Sequence, residues 1–480
     1  MAKRDEFVPE DLVTHLCKTI PGFKRESRPH QCELARMIWH GGIKRRQHHH
    51  FNGAMSFHHD ELAESFGRNS GGTGFDPLNR RVGLFDVTSN WSMPSLEGYT
   101  KGYKFTELAR KSRDDYLGKH YRKETRLLMM SGKAVKTLPA AVASRDKDGN
   151  TTRFKAFEMP NRSPVNRAFL QNLLKWLRRI RDEWRDGREP PQSLFTEYAS
   201  LAFVERMYDT TAQILRLSRV DVVGYGYIAT RYERVTSGRL YAKGVNLQTA
   251  PTLIKEAALD GLWEYDFSNC HFDILRQMAA QHGYTCTAIA EYLNAKEPTR
   301  QAIADEAGIS KEQAKICLLA LMYGARASEN RENAIPEEIG QDAARRLYQV
   351  SRFRAIHADI VKARSVILKK WKRTANGSLT NAFGKAISGR AKPVQKLAHL
   401  TQGVEALALQ AALALYSSDI VLLQHDGFAA TRRLSDKAIM EAVYMSTGYR
   451  LLLEEKRIQP NPDAVFMKNR MQIDKKAIPQ

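Results

Sequence analysis

Two short apolar runs, each leading to an aspartate, constrain this chain more than any other feature. Residues 261–269 read GLWEYDFSN and residues 420–428 read IVLLQHDGF. Apolar runs this short, bearing Val, Ile, Tyr or Trp, fit buried strands. A strand is rigid and its end meets solvent, so an acid there is held still where chemistry can reach it. From about Leu201 onward such runs alternate with helical patterns, and the fold class expected is α+β. The first half has another texture. Residues 1–150 mix short helical patterns with polar loops such as NSGGTGFDPLNRR, with a turn expected at Asp148-Gly149-Asn150. Arg167–Asp186 is a strong helix candidate: Phe169, Leu173, Trp176 and Ile180 fall on one stripe, with Arg and Lys between. The segment GREPPQSL (187–194) breaks it. Two units are expected, a mainly helical basic N-terminal domain over 1–200 and a second domain over 201–480.

Charge narrows the function. The chain carries 75 Lys and Arg against 53 Asp and Glu, a formal net charge of +22 with a sequence pI near 9.7. That surplus points to a polyanionic partner, most simply nucleic acid; the bland reading is a generally basic surface. Lys44-Arg45-Arg46 and the cluster Arg178, Arg179, Arg181 and Arg185 are the phosphate contacts expected from the first half, with salt-sensitive binding. Cys17, Cys32, Cys270, Cys286 and Cys317 are scattered, with no CxxC pair, which fits a reducing compartment rather than a disulfide framework. The N-terminus lacks a signal-peptide core, and no run approaches the ~18 apolar residues of a membrane span. A soluble, cytoplasmic protein with no membrane partner is expected. His48-His49-His50 with His58 and His59 lack the usual metal-ligand spacing and are read as an exposed loop.

If both runs lie in one sheet, Asp266 and Asp426 can converge on a pair of Mg²⁺ ions, with Mn²⁺ the alternative. Such ions sit ~3.5–4 Å apart when one activates a hydroxyl and the other steadies a leaving pyrophosphate, and carboxylate oxygen is the donor Mg²⁺ prefers. Either aspartate alone reads more readily as an ordinary strand-end or turn acid, so the pair needs company. The segment 310–324, SKEQAKICLLALMYG, supplies company. It opens with a capping box at Ser310 and Gln313. Lys311, Lys315, Leu319 and Tyr323 repeat every four residues and share one face. Two ammonium groups can hold a triphosphate, while Leu319 and Tyr323 can pack on a sugar and base. A competing reading takes 299–315 as a helix-turn-helix, with Ala304, Gly308 and Ser310 at its small, turn and cap positions. Its second helix then runs into Cys317–Met322, too apolar for a DNA groove. A non-catalytic DNA-binding protein built on this segment is the alternative of another class.

In their order, these segments resemble the family A DNA polymerases and their relatives, the single-subunit phage-type RNA polymerases. TSGRLYAKGVNLQTAP (236–251) is similar to the family's T-x-x-G-R-L…N-L-Q-x-x-P segment, DFSNCHFDILR (266–276) to motif A, the Lys311–Gly324 segment to motif B and HDGF (425–428) to motif C. GSLTNAFGK (377–385) and QGVEALALQ (402–410) resemble further segments between B and C. The resemblance implies a right-hand polymerase core, palm and fingers, over 201–480. It implies a DNA template, nucleoside triphosphates as substrates and a 3′-hydroxyl extended with the help of two Mg²⁺. Asp266 and Asp426 would hold the metals, with Lys311, Lys315 and Tyr323 in the catalytic group. His271, Leu319 and Gly324 would meet the nucleotide, and Arg239, Asn246, Gln248, Gln402 and His425 the nucleic acid.

Departures accompany the likeness. Lys311 replaces the usual Arg and loses its planar fork. Leu319 stands where the DNA enzymes carry an aromatic. His271 stands where they carry a glutamate that pairs with the motif B tyrosine and excludes the 2′-hydroxyl. Motif C reads His-Asp-Gly rather than His-Asp-Glu or the RNA enzymes' His-Asp-Ser. The Asn-Leu-Gln segment, Gln402-Gly403 and a bulky His271 lean toward a DNA product. GRLYA, the phenylalanine of HDGF, the missing aromatic and His399, near the RNA branch's ribose-sensing histidine, lean toward an RNA polymerase or primase. A DNA product is the expectation, from a monomer of phage or mobile-element origin in a bacterial host. No set of spaced acidic motifs marks a proofreading exonuclease in the first half.

Overall fold

The computed structural model describes residues 7–40, 55–57, 59–69, 72–92, 99–119, 125–135, 161–188, 201–220, 226–330 and 333–459. Lys44-Arg45-Arg46, His48-His49-His50, His58 and the expected turn at 148–150 lie outside the described residues, and the break at 187–194 lies partly outside.

Among its described residues the first half is mostly helical, with small sheets beside the helices. Helices Glu10–Thr19, Arg28–His40, Glu107–Gly118, Arg167–Arg185 and Leu201–Leu217 are accompanied by a three-stranded antiparallel sheet, Met55–Ser56, Tyr99–Phe105 and Phe85–Ser92, with Tyr99–Phe105 central. An aromatic cluster explains the strands: Phe57, Phe75, Phe85 and Tyr103 meet at centroid distances of 5.3–6.2 Å, and a pleated surface suits such residues. The helix expected from Arg167 ends at Arg185. Asn166 caps it by accepting from the Phe169 N–H at 3.1 Å, and Leu170, Leu173, Trp176, Leu177 and Ile180 form its buried stripe.

The second half is organised around a four-stranded antiparallel sheet in the order Ile420–Leu423, Gly427–Ala430, Trp263–Phe267, Leu453–Arg457. Both apolar runs therefore lie in one sheet, as neighbours. Alternation decides its two faces: Tyr265 and Phe267 are buried, whereas Asp266 is exposed. Tyr265 stacks on Phe428 at 5.1 Å. Behind the buried face pack Cys270–Gln281, Ser351–Lys370, Asp436–Thr447 and the 23-residue helix Pro393–Leu415. Lys296–Ala307 and Lys311–Met322 form a pair joined at Gly308, whose φ of +64° is the left-handed turn that glycine adopts without strain.

Two apolar cores result. One runs from Val8 to Leu259 and takes in Leu422, Ala429 and Ile458; the other runs from Tyr232 to Leu453. Residues 201–259, grouped by sequence with the second unit, thus pack largely in the first core. All five cysteines are unpaired. Among the described residues no helix is long and apolar enough to cross a membrane.

Candidate active site

Asp266 lies on the open face of its strand. Asp426 lies in the turn between Leu423 and Gly427. Pairing brings them together: Asp266 is opposite Gly427, and the Phe267 N–H donates to the Asp426 carbonyl at 2.8 Å. Two more acids share the face, Glu454 directly opposite Asp266 and Glu264 two residues before it. Each is already held. Glu454 accepts from Ser268 Oγ at 2.6 Å and pairs with Lys296; Glu264 pairs with Lys456 at 2.9 Å and accepts from Gln424 at 2.7 Å. The Asp266 and Asp426 carboxylates make no hydrogen bond or ion pair with a described residue. Burial in the cleft, then the charge of Asp426 and those of Glu264 and Glu454, raises the Asp266 pKa. Lys456 and Lys296 are committed to Glu264 and Glu454, so the crowded charges of Asp266 and Asp426 are what a divalent ion would relieve. Among the described residues no three His, Cys, Asp or Glu side chains form a complete metal cage.

Lys311–Met322 presents the face expected of it. Ser310 and Gln313 form the reciprocal capping box, and Ala314, Cys317, Leu318 and Leu321 are buried. Lys311, Lys315, Leu319 and Tyr323 lie on the open side, at 50, 41, 36 and 44% exposure. The two lysines pair with half-exposed acids, Lys311 with Glu297 at 3.1 Å and Lys315 with Glu312 at 3.2 Å, weak contacts that an anion can displace. Gly324 turns the chain at φ +88°, and a Cβ there would stand 2.4 Å from Val394. The pair does form a helix, a turn and a helix, but the second helix ends with Tyr323 against His271 and close to Arg239, which a free recognition helix would not do.

Those residues are the least expected part of the site. His271 meets the Tyr323 ring at 5.4 Å, so the two members of the expected sugar gate are in contact. Behind them Arg239 forks onto Glu405, Nε to Oε1 at 2.6 Å and Nη2 to Oε2 at 2.5 Å, and its Nη2 lies 2.8 Å from His271 Nε2. His271 Nε2 lies 2.5 Å from Glu405 Oε2. Sequence reading missed Glu405, although one signal was present: it is the only charge in the apolar run VEALALQAALAL (404–415). His425 stacks on Tyr241 at 4.5 Å, burial lowers its pKa, and its buried Nδ1 has no hydrogen-bond partner among the described residues.

Other expected nucleic-acid contacts belong to the framework. Asn246 and Gln248 are buried. Asn246 Nδ2 donates to the Gly244 carbonyl at 2.8 Å, while Gln248 joins the Leu240 and Leu423 carbonyls, each at 3.0 Å, and accepts from the Ala242 N–H. They fix the hairpin Arg231–Lys243 to the strand that leads to Asp426. Gly238, at φ +101°, lets that hairpin close on Phe383, whose ring would lie 2.9 Å from a Cβ. Asn381 ties the GSLTNAFGK segment to the Ser237 and His399 carbonyls, at 2.9 and 3.1 Å, and fills the space beside Gly403. Gln402 is half-buried on the same helix. His399, considered as a ribose sensor, is buried with Nε2 on the Lys385 carbonyl at 2.9 Å.

Basic residues divide in the same way. Arg181 and Arg185 do not await phosphate: Arg181 stacks on Tyr208 at 4.1 Å, and Arg185 bonds Asp114 at 2.8 Å and Glu205 at 2.5 Å. Arg178 and Arg179 are exposed. A stronger basic surface went unremarked in the sequence. No acid occurs between Asp359 and Glu405, while Lys362, Lys369, Lys372, Arg373, Arg390 and Lys392 are all exposed there, and none of them pairs with a described residue.

No family model and no curated protein matches the sequence. Among solved structures, the POL domain of Pol1 from M. smegmatis, in complex with DNA primer-template and dNTP, is similar at 14% identity and a TM-score of 0.44. The match spans 61% of this chain and 66% of that one, just under two thirds of its length. A likeness so distant leaves the function to the chemistry of the site itself.

Proposed function

We propose that this protein is a template-directed nucleic-acid polymerase that extends a 3′-hydroxyl with deoxynucleoside triphosphates. One observation carries the reading: strand pairing brings Asp266 beside the turn that holds Asp426, neither carboxylate has a hydrogen-bond or ion-pair partner among the described residues, and Tyr323, at the end of the lysine-bearing helix, lies within reach of the Asp426 charge. Asp266 and Asp426 would hold Mg²⁺, which when bound lowers the pKa of a hydroxyl and neutralises phosphate charge. Lys311 and Lys315 exchange their weak acid partners for the triphosphate. Leu319 and Tyr323 pack on the incoming nucleotide, and His271 closes the space beside its sugar. Arg239, Asn246 and Gln248 act from within, as the frame that sets the depth of the cleft. His425 and Gln402 face the nucleic acid. In this reading the sheet is the palm and the helix pair belongs to the fingers. The first 200 residues serve as an accessory template-binding domain. Catalysis is then positioning plus charge stabilisation.

The test is extension of a primed DNA template with Mg²⁺ and dNTPs, beside an unprimed template, NTPs and the Asp426→Ala protein. Primer-dependent product from dNTPs that Asp426→Ala loses by at least 100-fold is expected. A protein that binds DNA equally well with and without Asp426 and makes no product would be a binding module, and the reading would fail.

A further inference from the structure

We infer that Glu405, which touches no substrate, is the positioning residue that sets the sugar specificity of this site, by fixing His271 against Tyr323 where a 2′-hydroxyl would otherwise fit. The inference rests on the polymerase reading.

Glu405 is fully buried on the helix Pro393–Leu415. A carboxylate in such a place is costly unless it is paired and hydrogen-bonded, and here both oxygens are engaged. Oε1 takes the Arg239 Nε–H, and Oε2 takes Arg239 Nη2 and His271 Nε2. His271 Nε2 lies between Glu405 Oε2 at 2.5 Å and Arg239 Nη2 at 2.8 Å, and Nδ1 lies 3.0 Å from the Thr401 hydroxyl, which also donates to the Leu397 and Ala398 carbonyls. The ring is therefore gripped at both nitrogens, by two residues one helical turn apart on the same helix. One of its faces is left to meet Tyr323. Tyr323 in turn lies within the field of Arg239 and Glu405, so both gate residues sit against groups held by one carboxylate. Glu405 lies 134 residues after His271. The negative charge that would ordinarily stand at position 271 is thus delivered from another helix, with the imidazole as its spacer.

Glu405→Gln keeps the shape but changes the logic. An amide keeps one acceptor oxygen where the carboxylate had two, so Arg239 loses half of its fork and His271 faces an amide N–H in place of an oxygen. Both changes loosen the gate and leave Asp266, Asp426, Lys311 and Lys315 in place. Glu405→Asp is the second variant. It keeps the buried charge opposite Arg239, and with it the fold, but withdraws the carboxylate from His271.

Steady-state incorporation by the full-length protein on a primed DNA template, with dNTP or NTP of the same base, gives a discrimination ratio of kcat/KM values. We expect the wild-type protein to favour dNTP and both variants to lower the ratio at least tenfold, mainly by admitting ribonucleotides, with primer-template affinity unchanged within twofold. If both sugars slow equally and the ratio stays within twofold, Glu405 is merely structural and the inference is overturned. Should Glu405→Gln fail to fold, the ratio for Glu405→Asp decides in the same way. A wild-type protein that prefers NTPs overturns the inference and leaves the polymerase reading intact. One that incorporates neither overturns both.

Discussion

Gly427 follows Asp426 at the position where the DNA enzymes of the resembled family carry a glutamate. Its register opposite Asp266 leaves no room for a side chain: a Cβ would stand 2.2 Å from the Tyr265 carbonyl oxygen and 3.2 Å from Asp266 Cα and Oδ1. A third carboxylate cannot be added there without parting the two strands that hold both aspartates. The face instead receives Glu454 from the opposite side, already held by Ser268 and Lys296. Gly427→Glu, which writes the DNA enzymes' motif into this chain, is therefore expected to harm rather than help. Overpacking of this kind costs about 1–3 kcal/mol, and the melting temperature should fall by several degrees with polymerase activity reduced at least tenfold. Thermal denaturation and the primed extension assay check both. A variant as stable and active as the parent would mean that the hairpin is not as described.

Between elements, charge is used for joining as much as for binding. Glu107–Gly118, Arg167–Arg185 and Leu201–Leu217 share a buried network in which Arg113 meets Asp209 at 2.7 Å, while Arg185 links Asp114 and Glu205. Removing one partner from such a pair strands the other, at a cost of about 3–5 kcal/mol, so Arg113→Leu should be strongly destabilised in urea denaturation. The sign with pH follows from Asp209, whose carboxyl burial already pushes up to about 6. A group raised in the folded state favours folding most below its unfolded pKa and loses that contribution as pH rises through the folded value. Without Arg113 nothing offsets burial, so the loss should be larger at pH 8 than at pH 5. An equal loss at both would show that Asp209 is not buried alone in the variant. The same network explains what sequence could and could not disclose. The Arg167 helix was legible because its stripe and cap are local, and the Lys311 helix because its capping box and four-residue repeat are. What those faces meet was not legible: Arg185 reads as a phosphate ligand until Asp114, 71 residues earlier, is seen beside it. Arg239 and Glu405 are likewise 166 residues apart. The two aspartates were legible as a pair because both strands announce themselves by composition. The buried triad behind them was not, since its members come from three separate elements.

At the scale of the whole molecule, the net charge of +22 is unevenly committed. In the first half, arginines that look free in sequence bind acids of neighbouring helices, and the exposed Arg178 and Arg179 have acids one turn away at 3.9 Å. Between Asp359 and Glu405 there are no acids to take up the charge. That stretch includes the hairpin Leu379–Ile387, which Asn381 fastens to the Ser237 and His399 carbonyls. Each phosphate neutralised by such a surface releases counterions, and log K against log salt gains a slope of about −0.9 per contact on duplex DNA, or about −0.7 on a single strand. Replacing Lys362, Lys369, Lys372 and Arg390 together by Gln should therefore weaken primer-template binding for every sequence alike and flatten the slope by about 2–3. The pair Arg178→Gln and Arg179→Gln should change it by less than one, because their partly neutralised charges attract fewer phosphates. Fluorescence anisotropy across a KCl series separates the two. If the first set leaves the slope unchanged while the second flattens it, nucleic acid lies across the N-terminal helices. The acid-free stretch would then owe its charge to something other than the template.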